Sequence, residues 1–145
     1  MIIRKPNHKE LEKVISFSPQ AIFDGTLGEV KPTGEKVTQL VGALLDRGSY
    51  YLIATDGHKL MGWILLGSIK DQFTDETIGF IYELFVLEEF RGKGISKKLM
   101  RSGIDHLKNE GYSELRLSVF SGNKAIELYE KMGFEKRSIT MSLEI

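Results

Sequence analysis

The apolar positions in the first fifty residues switch from strand spacing to helical spacing. Residues 2–4 predict a short first strand, and apolar positions three to four apart over residues 11–15 predict a helix. Residues 18–34 contain two prolines and three glycines, a composition that predicts a long loop. Thr33 is a suitable cap for a second helix, which ends before Gly48. The apolar stripe of this helix consists of Val37, Leu40, Val41, Leu44 and Leu45.

Three consecutive strands are predicted in the middle of the chain. Residues 50–54 form the first, and Asp56-Gly57 is a strong hairpin signal that turns the chain into a return strand over residues 60–68. A polar loop over residues 70–77 precedes a long apolar strand over residues 78–86. Together these segments predict an antiparallel meander.

The second half of the chain alternates between helix and strand. Apolar residues follow a helical period over residues 95–107, alternate over 115–119, and return to the helical period over 125–132. The tail, residues 134–145, has apolar residues at every second position from Ile139 and predicts a last strand. We therefore expect an α/β (α+β) fold with a mixed, mostly antiparallel central sheet flanked by helices, in a single domain over residues 1–145.

Composition excludes several kinds of chemistry. The chain has 145 residues, of which 41% are hydrophobic and 28% are charged, as in an ordinary globular protein. It contains no cysteine, so disulfides, thiolate metal sites and cysteine nucleophiles are excluded. His8, His58 and His106 lie far apart in the sequence, and we expect no metal site.

The balance of charge argues against polyanionic partners. Lysine and arginine total 20, as do aspartate and glutamate, and a general binder of nucleic acid or membrane surfaces needs an excess of positive charge. No apolar run approaches the length of a membrane span. We therefore expect no nucleic-acid or membrane partner and a soluble protein of the cytoplasm.

The most informative segment runs from an apolar strand through a glycine-rich turn, Arg91-Gly92-Lys93-Gly94, into a helix. Glycines let the backbone approach a ligand closely, and a helix N-terminus offers unpaired N–H groups, so the segment is suited to binding phosphate. No acidic residue occurs between residues 91 and 101. Taken alone, the segment is equally compatible with a simple turn followed by a solvated basic helix face.

Two motifs resemble those of the GNAT (Gcn5-related N-acetyltransferase) superfamily. The sequence Arg91-Gly92-Lys93-Gly94-Ile95-Ser96 resembles its Gln/Arg-x-x-Gly-x-Gly/Ala motif, with Ser96 at the position of the last small residue. Residues 123–134 resemble its Asn…Ala-x-x-Leu-Tyr-x-x-x-Gly-Phe segment. The resemblance covers essentially the whole chain and is strongest over residues 78–134.

The resemblance implies that the chain binds acetyl-CoA and transfers its acetyl group to an amine. The pyrophosphate would rest on the turn, the pantetheine arm would pair with the strand before it, and the Val86 N–H would donate to the acetyl carbonyl. The cofactor-binding residues implied in this way are Phe85, Val86, Arg91, Gly92, Lys93, Gly94, Ile95, Ser96 and Asn123.

Two residues are candidates for proton transfer. The resemblance makes Tyr129 the general acid for the departing thiolate, whereas from its position alone it is a tyrosine on the apolar face of a helix. Glu83, on the strand before the turn, is the candidate general base. A carboxylate among apolar neighbours has either a partner or a raised pKa, and strand alternation equally allows Glu83 to point out of the sheet.

The nature of the acceptor is open at this stage. We expect a primary amine of a small molecule, with a protein N-terminus or lysine, or a non-catalytic acyl-CoA sensor, as alternatives. The acceptor pocket is expected near the first helices and the 18–34 loop, and the resemblance suggests a homodimer. Its candidate lining residues are Phe17, Phe23, Asp24 and Tyr50.

Overall fold

A five-stranded sheet forms the centre of the computed structural model, which describes residues 1–145. The strands lie in the order β1-β2-β3-β4-β5, with β1 to β4 antiparallel and β5 parallel to β4. The meander and the mixed sheet predicted from the sequence are therefore confirmed. The strands span Ile2–Arg4 (β1), Tyr50–Asp56 (β2), Lys59–Lys70 (β3), Thr77–Val86 (β4) and Leu115–Leu117 (β5).

Four α-helices cover the two faces of this sheet. The first begins at a capping box, in which the Asn7 side chain accepts from the Glu10 amide and the Glu10 carboxylate accepts from the Asn7 amide. Thr33 caps the second, as predicted. None of the helices is long and apolar enough to cross a membrane. The helices span His8–Gly25 (α1), Gly34–Asp46 (α2), Ile95–Asn109 (α3) and Ala125–Lys131 (α4), and a 3-10 turn spans Glu88–Phe90.

Alternation along the strands divides the core into two layers. Side chains of α1 and α2 pack on one face of the sheet, and those of α3 and α4 pack on the other. We call these the α1–α2 face and the α3–α4 face. The α1–α2 layer includes Val14, Ala21, Val37, Val41, Tyr51, Ile53, Trp63 and Leu65. The α3–α4 layer includes Leu52, Ile64, Leu66, Ile81, Val86, Ile95, Leu99, Met100 and Leu107.

A β-bulge breaks the regular pairing of β4. Leu65 of β3 pairs with Glu83 and Leu66 pairs with Ile81, so Tyr82 is the extra residue. Tyr82 and Glu83 consequently both reach the α1–α2 face, although adjacent strand residues normally point to opposite faces. Pairing of β4 with β5 also stops at Ile81, beyond which the sheet opens between these two strands.

The prediction of a loop over residues 18–34 is wrong for its first half. Helix α1 continues through Pro19 to Gly25 and buries Ser18 and Ala21. Proline lacks the N–H that a helix interior uses and normally disfavours continuation. Here Val14, Ser18 and Ala21 lie on one helical face against the sheet, and this packing outweighs the local cost.

The strand predicted over residues 134–145 is also absent, and the strand predicted over 115–119 forms only at Leu115–Leu117. Ile139, Met141 and Leu143 are each about four-fifths exposed or more. The start of this tail is held near the sheet by Phe134, which packs against the α3–α4 layer, and by an ion pair between Arg137 and Asp71 at 3.7 Å. Alternation alone cannot make a strand where no neighbour supplies the backbone hydrogen bonds.

Candidate active site

The glycine turn places a row of unpaired amides before α3. Gly92 and Gly94 have φ angles of +79° and +76°, which residues with a Cβ rarely adopt. The first amide of α3 to bond within the chain is that of Lys98, which donates to the Gly94 carbonyl at 3.2 Å. The amides of residues 92–97 have no partner in the protein and can donate to an anion.

Positive charge lines the groove between α3 and α4, next to the turn. The first turn of α3 contains no acidic residue and has no side-chain cap. The groove has a volume of about 600 Å³. Its lining consists of Lys97, Arg101, Lys124, Glu127, Leu128, Lys131 and Met132. The charge and the free amides together fit a ligand that carries several phosphates.

Arg91 braces the turn from within the chain. Its Nε donates to the Val86 carbonyl at 2.9 Å, and its guanidinium pairs with Asp24 at 3.3 Å. The same guanidinium lies over the Phe85 ring, 5.2 Å from the centroid. Its side chain therefore joins the end of β4 to the end of α1, and its guanidinium charge is paired with the Asp24 carboxylate.

The opening beside β4 exposes one backbone edge. The Leu87 amide donates to Met61 of β3, and successive residues of a strand turn their peptide groups to opposite edges. The Val86 amide therefore faces the opening, in agreement with the contact from Arg91 to the Val86 carbonyl. Of the two residues predicted to pair with the pantetheine arm, Val86 faces the opening, whereas the peptide groups of Phe85 face β3.

Glu83 occupies a half-buried position on the α1–α2 face. Its Oε1 accepts from the Trp63 indole at 2.5 Å and contacts the Ser18 hydroxyl at 3.4 Å. Burial raises the pKa of Glu83, and the two hydrogen bonds oppose that rise. The carboxylate therefore has both partners and a raised pKa, two outcomes that the sequence presented as alternatives.

Tyr129 lies on the other side of the sheet from Glu83. It packs against the α3–α4 layer, with the Phe134 ring edge-on at 6.1 Å. Burial raises the pKa of Tyr129, so the phenol stays protonated at neutral pH. Its hydroxyl makes no hydrogen bond within the chain and is free to donate. The open edge of β4 lies between the two candidate proton-transfer groups.

The remaining predicted residues fall into two places. Phe17 stacks on Trp63 and Asp24 pairs with Arg91, so both lie near Glu83. Tyr50 contacts Glu110, at the opposite end of α3 from the glycine turn, and the prediction that it lines the acceptor pocket is wrong. Asn123 donates to the Gly25 carbonyl and accepts from the Ala125 amide, so its side chain is engaged within the protein.

Trp63, Ser18 and Tyr51 surround Glu83 and were not identified from the sequence. Each occupies an apolar position in its element, and each is almost completely buried. Their spacing indicates only that they face the core. The contact with Glu83 depends on the bulge at Tyr82, for which the sequence carries no recognised signal.

Comparison with known proteins identifies the family. The family model described as "Acetyltransferase (GNAT) family" matches residues 20–134. This chain therefore belongs to the GNAT acetyltransferase family, and the expectation drawn from the two motifs is confirmed. Within that family it is an N-acetyltransferase, as its relatives indicate.

Three similar proteins illustrate the relationship. An uncharacterized N-acetyltransferase of Bacillus subtilis, YdgE, is 30% identical over 91% of this chain and 87% of its own length. N-alpha-acetyltransferase 30 of Schizosaccharomyces pombe is 31% identical over 59% of this chain, which spans 57% of that protein. The structure of a putative acetyl transferase from Pyrococcus furiosus superposes with a TM-score of 0.83 at 22% identity and covers 99% of both chains.

Proposed function

We propose that this protein transfers the acetyl group of acetyl-CoA directly to a primary amine of a small molecule. The observation that carries the proposal is the position of the open edge of β4. It continues from the unpaired amides of the glycine turn and runs between Glu83 on one face of the sheet and Tyr129 on the other.

The residues of the turn fit the phosphates of the cosubstrate. The amides of residues 92–97 would accept the pyrophosphate, and the lysines and arginine of the α3–α4 groove would contribute positive charge. The Val86 amide would donate to the acetyl oxygen as negative charge develops on it. The Arg91 side chain would act indirectly, because it holds the end of β4 and the turn in one arrangement.

Acetyl-CoA supplies an activated acyl thioester when bound. The amine nitrogen forms a bond to the acetyl carbon, and the bond from that carbon to sulfur breaks. Glu83, on the α1–α2 face, would accept the proton that the amine must lose. Tyr129, on the α3–α4 face, would give its proton to the departing sulfur. Exchange with solvent would then remove the proton from Glu83 and return one to Tyr129, which restores both groups. The chain contains no cysteine, so no acetyl-cysteine intermediate is available for a two-step route.

The acceptor side of the opening favours a small molecule. The end of α1 contacts the segment that follows β5, through the hydrogen bond that Asn123 donates to the Gly25 carbonyl. Leu27 Cδ1 lies only 2.8 Å from the position that a Cβ on Gly122 would take. We infer that these contacts narrow the acceptor side and would leave less room for an extended peptide. The relationship to N-alpha-acetyltransferase 30 supports a protein N-terminus as the second candidate acceptor.

A CoA-release assay over small amines, polyamines, amino acids and peptides with free N-termini tests both candidates. We expect turnover with a small amine and none with the peptides. Turnover with the peptides alone would instead make a protein N-terminus the acceptor.

The Glu83→Gln variant should bind CoA as tightly as the wild type, measured by calorimetry, but turn over about 100-fold more slowly. Glu130→Gln removes the same charge from an exposed position on α4 and should behave as the wild type. CoA binding with no turnover on any amine would instead indicate an acyl-CoA sensor.

A further inference from the structure

The indole of Trp63 is held in one orientation by its surroundings. The residue has no exposed surface, and its ring lies between those of Phe17 and Phe85, at centroid distances of 6.4 and 5.1 Å. An indole nitrogen can donate one hydrogen bond and accept none. In Trp63 that donor is directed at Glu83 Oε1, at 2.5 Å.

The contacts of Glu83 are unequal between its two oxygens. Both hydrogen bonds reach Oε1, whereas Oε2 has no partner in the protein and is not completely buried. The Ser18 hydroxyl has a single proton, and the Val14 carbonyl lies closer to it, at 3.0 Å, than Glu83 does, at 3.4 Å. The Trp63 N–H therefore has Glu83 as its single acceptor, whereas the Ser18 hydroxyl has the Val14 carbonyl as a closer one.

We propose that Trp63 is a positioning residue for the transfer reaction: it anchors Oε1 of Glu83 and so presents Oε2 to the proton of the acceptor amine. This inference rests on the proposed role of Glu83 as the general base. It assigns a mechanistic task to a side chain that would otherwise serve only to fill the core. Without the anchor, the carboxylate could rotate away from the opening beside β4.

The hydrogen bond has a second effect, on the titration of Glu83. A donor that points at a carboxylate stabilises its charged form, so the indole opposes the rise in pKa caused by burial. The elements packed against Glu83 present Ser18 from α1, Trp63 from β3 and Tyr51 from β2. Tyr51 is the titratable member of this set, and burial raises its pKa, so it stays neutral at working pH. Loss of the indole N–H should therefore raise the pKa of Glu83.

The first test is the pH profile of kcat/KM in Trp63→Phe, which keeps an aromatic ring and removes the donor. We expect the acidic limb to move to higher pH by about one unit, because a hydrogen bond to a charged group has about that effect on a titration. At a pH below the limb the variant should be more than tenfold slower, and at high pH a smaller loss should remain, because Glu83 is then charged in both proteins but no longer anchored in the variant. A purely structural defect would lower the rate equally at every pH.

Tyr82→Phe is the matched control, since it removes the hydroxyl of the neighbouring bulge residue, which bonds to the Ser68 carbonyl and not to Glu83. Its profile should coincide with that of the wild type. Ser18→Ala should move the limb less than Trp63→Phe does. An unmoved limb in a folded Trp63→Phe variant, with Glu83→Gln inactive, would overturn the inference and leave the proposed function standing.

The second test measures fluorescence and does not need the Trp63 variant. Trp63 is the only tryptophan in the chain, so its fluorescence reports on one site. We expect the emission of the wild type to titrate with a single midpoint that matches the acidic limb, and the emission of Glu83→Gln to be flat over the same range. A flat wild-type titration, or an identical one in Glu83→Gln, would overturn the contact between the two residues. An active Glu83→Gln variant would instead refute the role of Glu83 as the base.

Discussion

At the scale of single residues, burial shifts the pKa of Glu83 and of Tyr129 in the same direction, although the proposed reaction uses one group as a base and the other as an acid. It raises the pKa of both groups. For Tyr129 this keeps the phenol protonated, as the proposed role of proton donor to the departing thiolate requires. For Glu83 it makes the carboxylate a better proton acceptor, while the hydrogen bond from the indole of Trp63 opposes the rise in pKa.

Tyr129→Phe should lower turnover by about 100-fold and leave the affinity for CoA almost unchanged. The phenyl ring preserves the packing against the α3–α4 layer, and only the donor is lost. Steady-state kinetics and calorimetric titration with CoA measure the two quantities separately. Equal turnover in the variant and the wild type would remove Tyr129 from the mechanism.

The sequence located Glu83 and Tyr129 as candidates, but not the environment of either. Glu83 stands out because it is a charged residue inside an apolar strand, and Tyr129 because it belongs to a motif that resembles one in a known family. The indole that contacts Glu83 lies 20 residues away and comes from a different strand. Pairings of this kind depend on register and on the bulge, which local patterns do not specify.

At the scale of elements, the glycine turn and α3 act as one unit. The turn is fixed at one end by Arg91 and at the other by the start of the helix, and the two positive φ angles orient its amides away from the protein. Helix α3 is anchored by four fully or almost fully buried side chains, which were predicted from its apolar spacing. The proposed anion site is therefore anchored by the helix behind it.

Gly94→Asp should weaken CoA binding by at least tenfold. The substitution places a carboxylate among the amides that would otherwise receive phosphate, at a position with open space around it. Gly57→Asp is the control, since Gly57 is exposed in the β2–β3 hairpin with a similar φ of +62°. Both variants should have similar melting temperatures, whereas only Gly94→Asp should lose CoA in calorimetry. Normal affinity in Gly94→Asp would rule out the turn as the phosphate site.

Helices and strands whose ends are marked by a capping residue or by their own apolar spacing were predicted well. Segments whose structure depends on packing against other elements were not. Helix α2 starts at Thr33 and β4 ends at Val86, as the pattern indicates. The extension of α1 through Pro19 and the absence of a final strand both reflect tertiary packing. In the first case a neighbouring sheet compensates for a helix-breaking residue, and in the second no neighbour is available.

At the scale of the whole molecule, the sheet ends in an incomplete edge. Strand β5 has three residues and one neighbour, β4, and the exposed tail that follows α4 carries apolar side chains at alternate positions. An unpaired edge beside an exposed alternating segment favours pairing between molecules. This arrangement gives the expected homodimer a physical basis.

We therefore expect the mass measured by light scattering to rise with protein concentration. The double variant Met141→Lys, Leu143→Lys should stay at the mass of one chain, because it places charge on the alternating face. Phe73→Lys is the control, as Phe73 is equally exposed but lies in the β3–β4 loop, and it should behave as the wild type. A wild-type mass that is independent of concentration would contradict this expectation.

The bulge at Tyr82 has a consequence for the kinds of mutation that the protein tolerates. The surplus residue lets Tyr82 and Glu83 share the α1–α2 face while Ile81 and Leu84, on either side of them, point to the α3–α4 face. Removal of Tyr82 would therefore restore regular alternation and leave Glu83 on the α1–α2 face, still paired with Leu65. A slip of one residue that paired Tyr82 with Leu65 would instead turn Glu83 to the α3–α4 face. The register of β4 thus decides which face Glu83 occupies, and a single-codon deletion of Tyr82 should be less damaging than such a slip.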